Sequence, residues 1–466
     1  MIMTWYIQEF SKYILTFLML LYVYECFAVF RYDNWEEKNG IYIRQNILMI
    51  SIHTIGFLSI YIKYLDILYL FLYAFELIVL FACIVLFRAI YPRVNRLTIN
   101  NMCMLLSVGF IILARISLPK AVSQFKIVIV SLIIGMVIPY FVHKIKLLKY
   151  LTWIYAMLGI SLLGIVLLVG AVTNGSKISY SILGYTFQPS EFVKIIYVFL
   201  IASLLSESDH FINIFLSAVL AGSHIIILVL SKDLGSALIF FVVYVCLIFI
   251  ATKNYWYLAL GSISGIAAAM IAFRLFRHVQ VRVQAWQNPW DDIAGTGYQI
   301  TQSLFAIGTG SWFGLGLGQG TPSSIPFVET DFVFSAVSEE MGVIFSFCLI
   351  LVCVSCFIMF MKIAAQIKDC FYKYIAAGLG ITYIFQVFLT IGGGTKFIPL
   401  TGVTLPFISY GGSSILTTII MFSIIQGLYI ISHEEEKKLE RNEQRKKKER
   451  QRKIPKEQAE ETYENI

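Results

Sequence analysis

The sequence predicts an all-α polytopic membrane protein of about thirteen transmembrane helices with one large loop on one face, and three observations predict it. The chain is 58% hydrophobic and only 14% charged. Its mean hydropathy is +0.78. Apolar runs of the ~20 residues that a spanning helix needs recur along its whole length. A soluble globular chain has none of these properties.

The runs centre near residues 20, 54, 77, 109, 134, 161, 198, 221, 243, 264, 350, 381 and 419, each closed by charged or Gly/Pro-containing turns. The first, "FSKYILTFLMLLYVYECFAVF", is too long for a signal-peptide core and lacks a small-residue cleavage site, so it is expected to stay as a helix. The eight cysteines fall almost entirely in apolar runs and the loop from about 274 to 331 has none, which argues against a disulfide framework. Cys353 and Cys356 have CxxC spacing, but on an apolar helix core packing is the better reading.

Lysine and arginine in the short loops set the expected orientation. Arg88, Arg93 and Arg96, the lysines of "HKIKLLKY", Lys362, Lys368 and Lys373, and the basic tail all fall on one side if there are thirteen spans. That side is expected to be cytoplasmic, which puts residues 274–331 outside. Arg115, Lys120 and Lys126 lie on the outer side against the rule.

The tail from His433 onward carries eleven Lys/Arg and ten Asp/Glu, so it adds only about one unit to the net charge of +8. It reads as a solvated, partly helical or disordered end. Attraction of "RKKKERQRK" to anionic membrane lipid is a second reading. Nucleic acid is not an expected partner, because the segment has no interleaved aromatics and no folded module beside it.

The outer loop is long enough to need a function. It concentrates Arg274, Arg277 and Arg282, the tryptophans 286, 290 and 312, and glycines at 308, 310, 314, 316, 318 and 320. Cations suit phosphate, flat rings suit sugars, and glycines let backbone amides approach an anion. A glycosylated phospholipid would use all three. The bland alternatives are interfacial anchors for Trp and Arg, and a plain turn for Asp291 and Asp292. The glycine run lacks the ending of a P-loop.

Two further constellations stand at membrane helices. In "FQPSEFVK", Pro189 and Ser190 make a helix start with Ser190 as a cap, and Glu191 and Lys194 lie three apart on one face. They read equally as a structural ion pair or as substrate contacts, since ionisable groups in membrane helices usually face the bundle interior in pairs. Asp233 either contacts substrate or starts the next helix. His224 is expected to be hydrogen-bonded inside the bundle, and Glu25 and Glu76 have no partner in sequence. The stretch "GGGTKFIPLTGVTLPFISYGGSS", with Lys396 near its start and Ser409 near its end, reads as an irregular segment lining a polar cavity.

In order along the chain, "FQPSEFVK", "DLGSALI", "GYQITQSLFAIGTG", "GLGLGQG", "ETDFVFSAVSEEMG" and "PLTGVTLPFISYGGSS" resemble the SEDS family of FtsW, RodA and SpoVE. The resemblance covers about residues 97–432, ten of the thirteen expected helices, and its form is most similar to a RodA-like branch. It implies three units: additional N-terminal helices over 1–96, a glycosyltransferase core over 97–432, and a charged tail over 433–466. The sequence departs from the family pattern at "NGSKISYSI", at Glu329 in place of histidine, and at Lys396 to Pro399. Residues 1–96 read as a docking or regulatory addition.

What the family implies is a peptidoglycan glycosyltransferase that polymerises lipid II outside the cytoplasmic membrane with a class B penicillin-binding protein as partner, in elongation, division or sporulation. The aspartate of its Thr-Asp-Phe motif is the proposed catalytic residue, here Asp331. Inverting transfer from an α-linked pyrophosphate to a β-1,4 linkage needs one general base and no covalent carboxylate intermediate. Lys194, Lys396 and loop arginines including Arg282 are the candidate cations for the leaving pyrophosphate. Mg2+ or Mn2+ could share that role, although no ligand cluster in the sequence demands a metal. Glu191, Asp233 and Ser409 are further candidate substrate contacts, and Glu339 and Glu340 are expected to support the site through hydrogen bonds. The alternatives are a lipid-linked precursor flippase or transporter and a non-catalytic transpeptidase scaffold.

Overall fold

A computed structural model describes residues 2–32, 34–173, 176–182, 185–207 and 211–464. The first helices are α1 (Ile2–Ala28), α2 (Trp35–Tyr64), α3 (Leu68–Ile90), α4 (Arg96–Ile116), α5 (Leu118–Lys144) and α6 (Thr152–Val169). A short antiparallel sheet follows, with β1 (Ala171–Thr173) paired to β2 (Ser176–Ile182) and β2 to β3 (Tyr185–Phe187). Then come α7 (Pro189–Glu207), α8 (Phe211–Leu230), α9 (Leu234–Thr252), α10 (Tyr255–Leu275), α11 (Arg277–Gln287), α12 (Tyr298–Gly310), α13 (Val333–Gln366), α14 (Cys370–Gly394) and α15 (Gly412–Glu464).

Among the described residues twelve helices are long and apolar enough to cross a membrane, and the remaining expected span, α6, carries a shorter apolar stretch, Thr152–Leu168. A small sheet stands within this otherwise helical fold; Asn174 and Gly175 of "NGSKISYSI" lie outside the described residues. Residues 274–331 hold two helices. α11 and α12 are too short and polar to span, and lie over one face of the bundle, here called the loop face.

α4 is buried along its whole length, whereas α10 has no buried residue and packs on α9 and α11. α2, α3, α5 and α13 surround α4, and α1 lies along α2 and α13. Lipid is as apolar as leucine, so helices here are keyed by close packing and by hydrogen bonds between polar side chains. Tyr22 donates to Asn101 Oδ1 at 3.0 Å and Asn101 Nδ2 to Ser355 Oγ at 2.7 Å, joining α1, α4 and α13. Asn100 Nδ2 donates to Gln45 Oε1 at 3.0 Å, joining α4 to α2.

The acids of the N-terminal helices that have no partner in sequence lie beside basic residues in space. Glu25 takes a bidentate pair of bonds from Arg44, at 2.6 and 3.0 Å. Glu76 faces His53 Nε2 at 3.7 Å, both side chains fully buried. Cys353 and Cys356 pack in the core, and all eight cysteines are free. α15 continues as a helix far beyond its span, which ends at Lys438.

Candidate active site

The loop-face ends of α7, α9, α13, α14 and α15 meet beneath α11 and the irregular segment 395–411. Asp331 is half-buried in the turn before α13, its backbone N–H donating to Phe327 O at 3.1 Å. Arg282, half-buried on α11, donates through Nη1 to Leu400 O and Thr401 O, each at 3.2 Å. At Gly402, which has φ +75°, an added β-carbon would lie 3.6 Å from Asp331 Oδ2 and 3.9 Å from Arg282 Nη2. Carboxylate and guanidinium therefore converge on one point, and no ion pair joins them.

Burial pushes the Asp331 carboxyl up to about 6, against the lowering field of Arg282 and a bond from Thr330. Burial likewise lowers Arg282, which the negative fields of Asp331 and Asp233 partly restore. Asp233 is the N-cap of α9: it accepts from Ser236 N at 3.2 Å and from Ser190 Oγ at 2.9 Å. Ser190 lies inside the first turn of α7, so the expected cap is corrected to a donor that ties α7 to α9.

Glu191 and Lys194 form a closed unit. Lys194 Nζ donates to Glu191 Oε2 at 2.8 Å and to Gln386 Oε1 at 2.7 Å, while Thr417 donates to the same Glu191 oxygen at 3.2 Å. Glu191 is 5% exposed and Lys194 3%. Their polar atoms are engaged with α14 and α15, the geometry of a structural pair. Ser409 is also buried: its hydroxyl accepts from Leu405 N at 2.8 Å and donates to Thr330 O, and Tyr410 N donates to Glu329 O at 2.7 Å. Ser409 thus holds the residue before Asp331 and has no surface to offer a ligand. Lys396 is half-buried, with its carbonyl held by Trp286 Nε1 at 3.1 Å. His224 Nδ1 donates to Leu220 O at 2.8 Å, inside the bundle.

The glycine run does cradle anions, but they are the protein's own. Thr321 N donates to Glu339 Oε1 at 2.9 Å and Gly318 N to Glu340 Oε2 at 3.2 Å. Leu315 N and Gly316 N donate to the carbonyls of Glu339 and Glu340, each at 2.9 Å. Gly342, at φ +91°, breaks α13 so that these carbonyls are available, a conformation that favours glycine.

Sequence reasoning missed two participants. Arg115, noted there only as an off-rule charge, meets Glu340 Oε1 at 2.8 Å and Gly320 O at 2.9 Å. Lys120 pairs with Glu329. Cations on the side expected to disfavour them were the available signal. Asp292 accepts from Thr296 N at 2.8 Å, a turn as expected. Among the described residues no group of three or more His, Cys, Asp or Glu side chains is placed to hold a metal.

The FtsW/RodA/SpoVE model, described as cell cycle protein, matches residues 93–436. The chain belongs to this family. Over 282 residues it is 36% identical to peptidoglycan glycosyltransferase RodA of Mycobacterium tuberculosis, covering 57% of this chain and 60% of that protein. It thus spans less than two thirds of this mycobacterial relative. Stage V sporulation protein E of Bacillus subtilis is 32% identical over 304 residues, covering 62% of this chain and 81% of its own length. A solved chain from a peptidoglycan synthase complex that coordinates polymerization and crosslinking superposes with a TM-score of 0.62 at 22% identity, covering 73% of this chain and 98% of that one. That likeness carries the fold. This FtsW/RodA/SpoVE protein is a multi-pass membrane protein, with α1–α3 preceding the matched region.

Proposed function

We propose that the protein is a peptidoglycan glycosyltransferase that polymerises lipid II by inverting transfer with Asp331 as general base. One observation carries the reading: a half-buried carboxylate without an ion pair converges with Arg282 on Gly402, in a chain whose relatives are named for this activity. A carboxyl raised to about 6 is a better base than a free aspartate and is still mostly ionised near neutrality. It takes the proton of the acceptor sugar hydroxyl as that oxygen attacks the anomeric carbon. Arg282, with Lys396 beside the same segment, stabilises the departing lipid pyrophosphate. Asp233 reaches this site through its field on Arg282, while Glu339 and Glu340 hold the loop that follows α12.

In this reading the loop face is extracytoplasmic, the tail cytoplasmic, and the membrane the bacterial cytoplasmic membrane. The positive-side count over the short loops supports that orientation. Residues 97–432 form the catalytic core, 1–96 an addition and 433–466 a tail. A class B penicillin-binding protein is the expected partner, and the fold shared with a peptidoglycan synthase complex chain supports it.

The test is polymerisation of purified lipid II by the detergent-solubilised protein, alone and with its transpeptidase. Glycan strands from wild type, and none from Asp331→Asn, are expected. Absence of strands from wild type beside a verified partner sinks the polymerase reading. For sidedness, a cysteine placed at exposed Ser323 should react with an impermeant thiol reagent from outside the cell; labelling only after permeabilisation reverses the orientation.

A further inference from the structure

The N-terminal helices α1–α3 precede the region matched by the family model, which begins at residue 93. They are nonetheless built into the bundle by the Tyr22–Asn101–Ser355 and Gln45–Asn100 hydrogen bonds. At the loop face they reach the segment that cradles Glu339 and Glu340. The Gln8 side chain accepts a hydrogen bond from Gln319. The Tyr13 and Phe313 rings are 5.1 Å apart. From α2, Lys63 Cγ lies 3.0 Å from where a β-carbon at Gly318 would stand, and the Arg115 guanidinium sits 5.9 Å from the Tyr64 ring centre.

The α2 contacts fall on residues that meet a carboxylate of α13: Gly318 N bonds Glu340, and Arg115 pairs with Glu340. The α1 contacts fall on Gln319 and Phe313 of the same loop, whose Thr321 N bonds Glu339. Those two glutamates lie on the part of α13 between Asp331 and the break at Gly342. One side of the 311–321 loop therefore grips the helix that follows Asp331, and its other side rests on α1 and α2.

We propose that the N-terminal helices are a built-in positioning unit for the active site, with Gln8 and Tyr13 as the positioning residues that hold the 311–321 loop and, through it, Asp331. The inference rests on the polymerase reading for its effect on rate. Neither residue approaches Arg282 or Gly402, so loosening them should alter the chemical step and leave substrate affinity in place.

The experiment uses the purified full chain with Gln8→Ala and Tyr13→Ala combined, against the conservative pair Gln8→Glu and Tyr13→Phe, which keeps the acceptor oxygen and the ring. The alanine pair should lower kcat about tenfold, because small misplacements of a reacting group are costly, with KM for lipid II unchanged. The conservative pair should restore kcat. In parallel, a cysteine at Ile325, which is buried, reports loop opening without any catalysis. Its labelling by an impermeant maleimide should quicken about tenfold in the alanine pair, as local opening becomes easier.

Wild-type kcat in the alanine pair, equal loss in both pairs, a rise in KM alone, or unchanged labelling would each overturn the proposal. Faster labelling in a protein that makes no glycan even as wild type supports the positioning contact and overturns the polymerase reading, so the two failures are distinguishable.

Discussion

Glu191 and Asp331 are both carboxylates at the loop-face end of a membrane helix, and each has a cation close by, yet the protein treats them in opposite ways. Glu191 is matched by Lys194 at 2.8 Å and bonded by Thr417, and Lys194 is matched again by Gln386. Asp331 has Arg282 near but not paired, because the guanidinium donates to Leu400 and Thr401 carbonyls instead. A charge buried to hold helices together needs all its partners, since desolvation is otherwise uncompensated. A charge kept for chemistry must stay partly unsatisfied until substrate arrives. On the proposed reading, the contrast separates a structural pair from a reactive group where sequence spacing alone could not.

The largest effect should come from the reactive side. Asp331→Asn keeps size and removes the base, and should cut glycan synthesis by about 10²–10⁴-fold, the usual contribution of general base catalysis. Thermal stability in detergent should change little. Strands formed at the wild-type rate would move the base elsewhere and dissolve the contrast.

On the structural side, Lys194→Met strands Glu191 in a dry bundle and should destabilise the protein by about 3–5 kcal/mol. Adding Glu191→Gln should return most of that stability, read as the unfolding midpoint in detergent. The double variant, once folded and inserted, should polymerise lipid II normally. Loss of activity from a stable double variant would make the pair a substrate site and bring the two regions back together.

The pH profile sharpens the comparison further. The base must be ionised, so kcat/KM should be fully present well above pH 6 and fall as pH drops through about 6, the value to which burial raises Asp331. Arg282 favours the ionised form, so Arg282→Gln should move this limb to higher pH. A limb near pH 4 in wild type, or one that Arg282→Gln leaves in place, would show that the group is not held as described.

Much of this architecture was legible in the sequence because spanning helices announce themselves by length and hydropathy. The thirteen centres correspond to α1–α10 and α13–α15, and length and composition marked 274–331 as the unusual loop. Asp331, Glu339 and Glu340 were likewise visible, as carboxylates too close to lipid. Partners were not. Glu25 with Arg44 and Glu76 with His53 join neighbouring helices, and Arg115 with Glu340 joins α4 to the distant α13; which faces touch is a property of packing that no local spacing encodes. The glycine run misled for a related reason: its residue types promised an anion site, and only the fold reveals that Glu339 and Glu340 occupy it. The small sheet was missed because a stretch as short as Ser176–Ile182 carries little periodicity to read.

Ser409 gives the smallest and most discriminating test. As a ligand contact it would affect KM; as placed, its hydroxyl joins Leu405 N to Thr330 O, one residue before Asp331. Ser409→Ala leaves a buried N–H and a buried carbonyl short of partners, which costs about 1–3 kcal/mol locally. The strain falls on the turn that presents Asp331, so kcat should drop about three- to tenfold as the base loses its alignment. KM for lipid II should hold, because Arg282 keeps its own bonds to Leu400 and Thr401. A raised KM at constant kcat would place Ser409 in the binding surface after all, and would mean that the 395–411 segment opens further in solution than its buried hydroxyl implies.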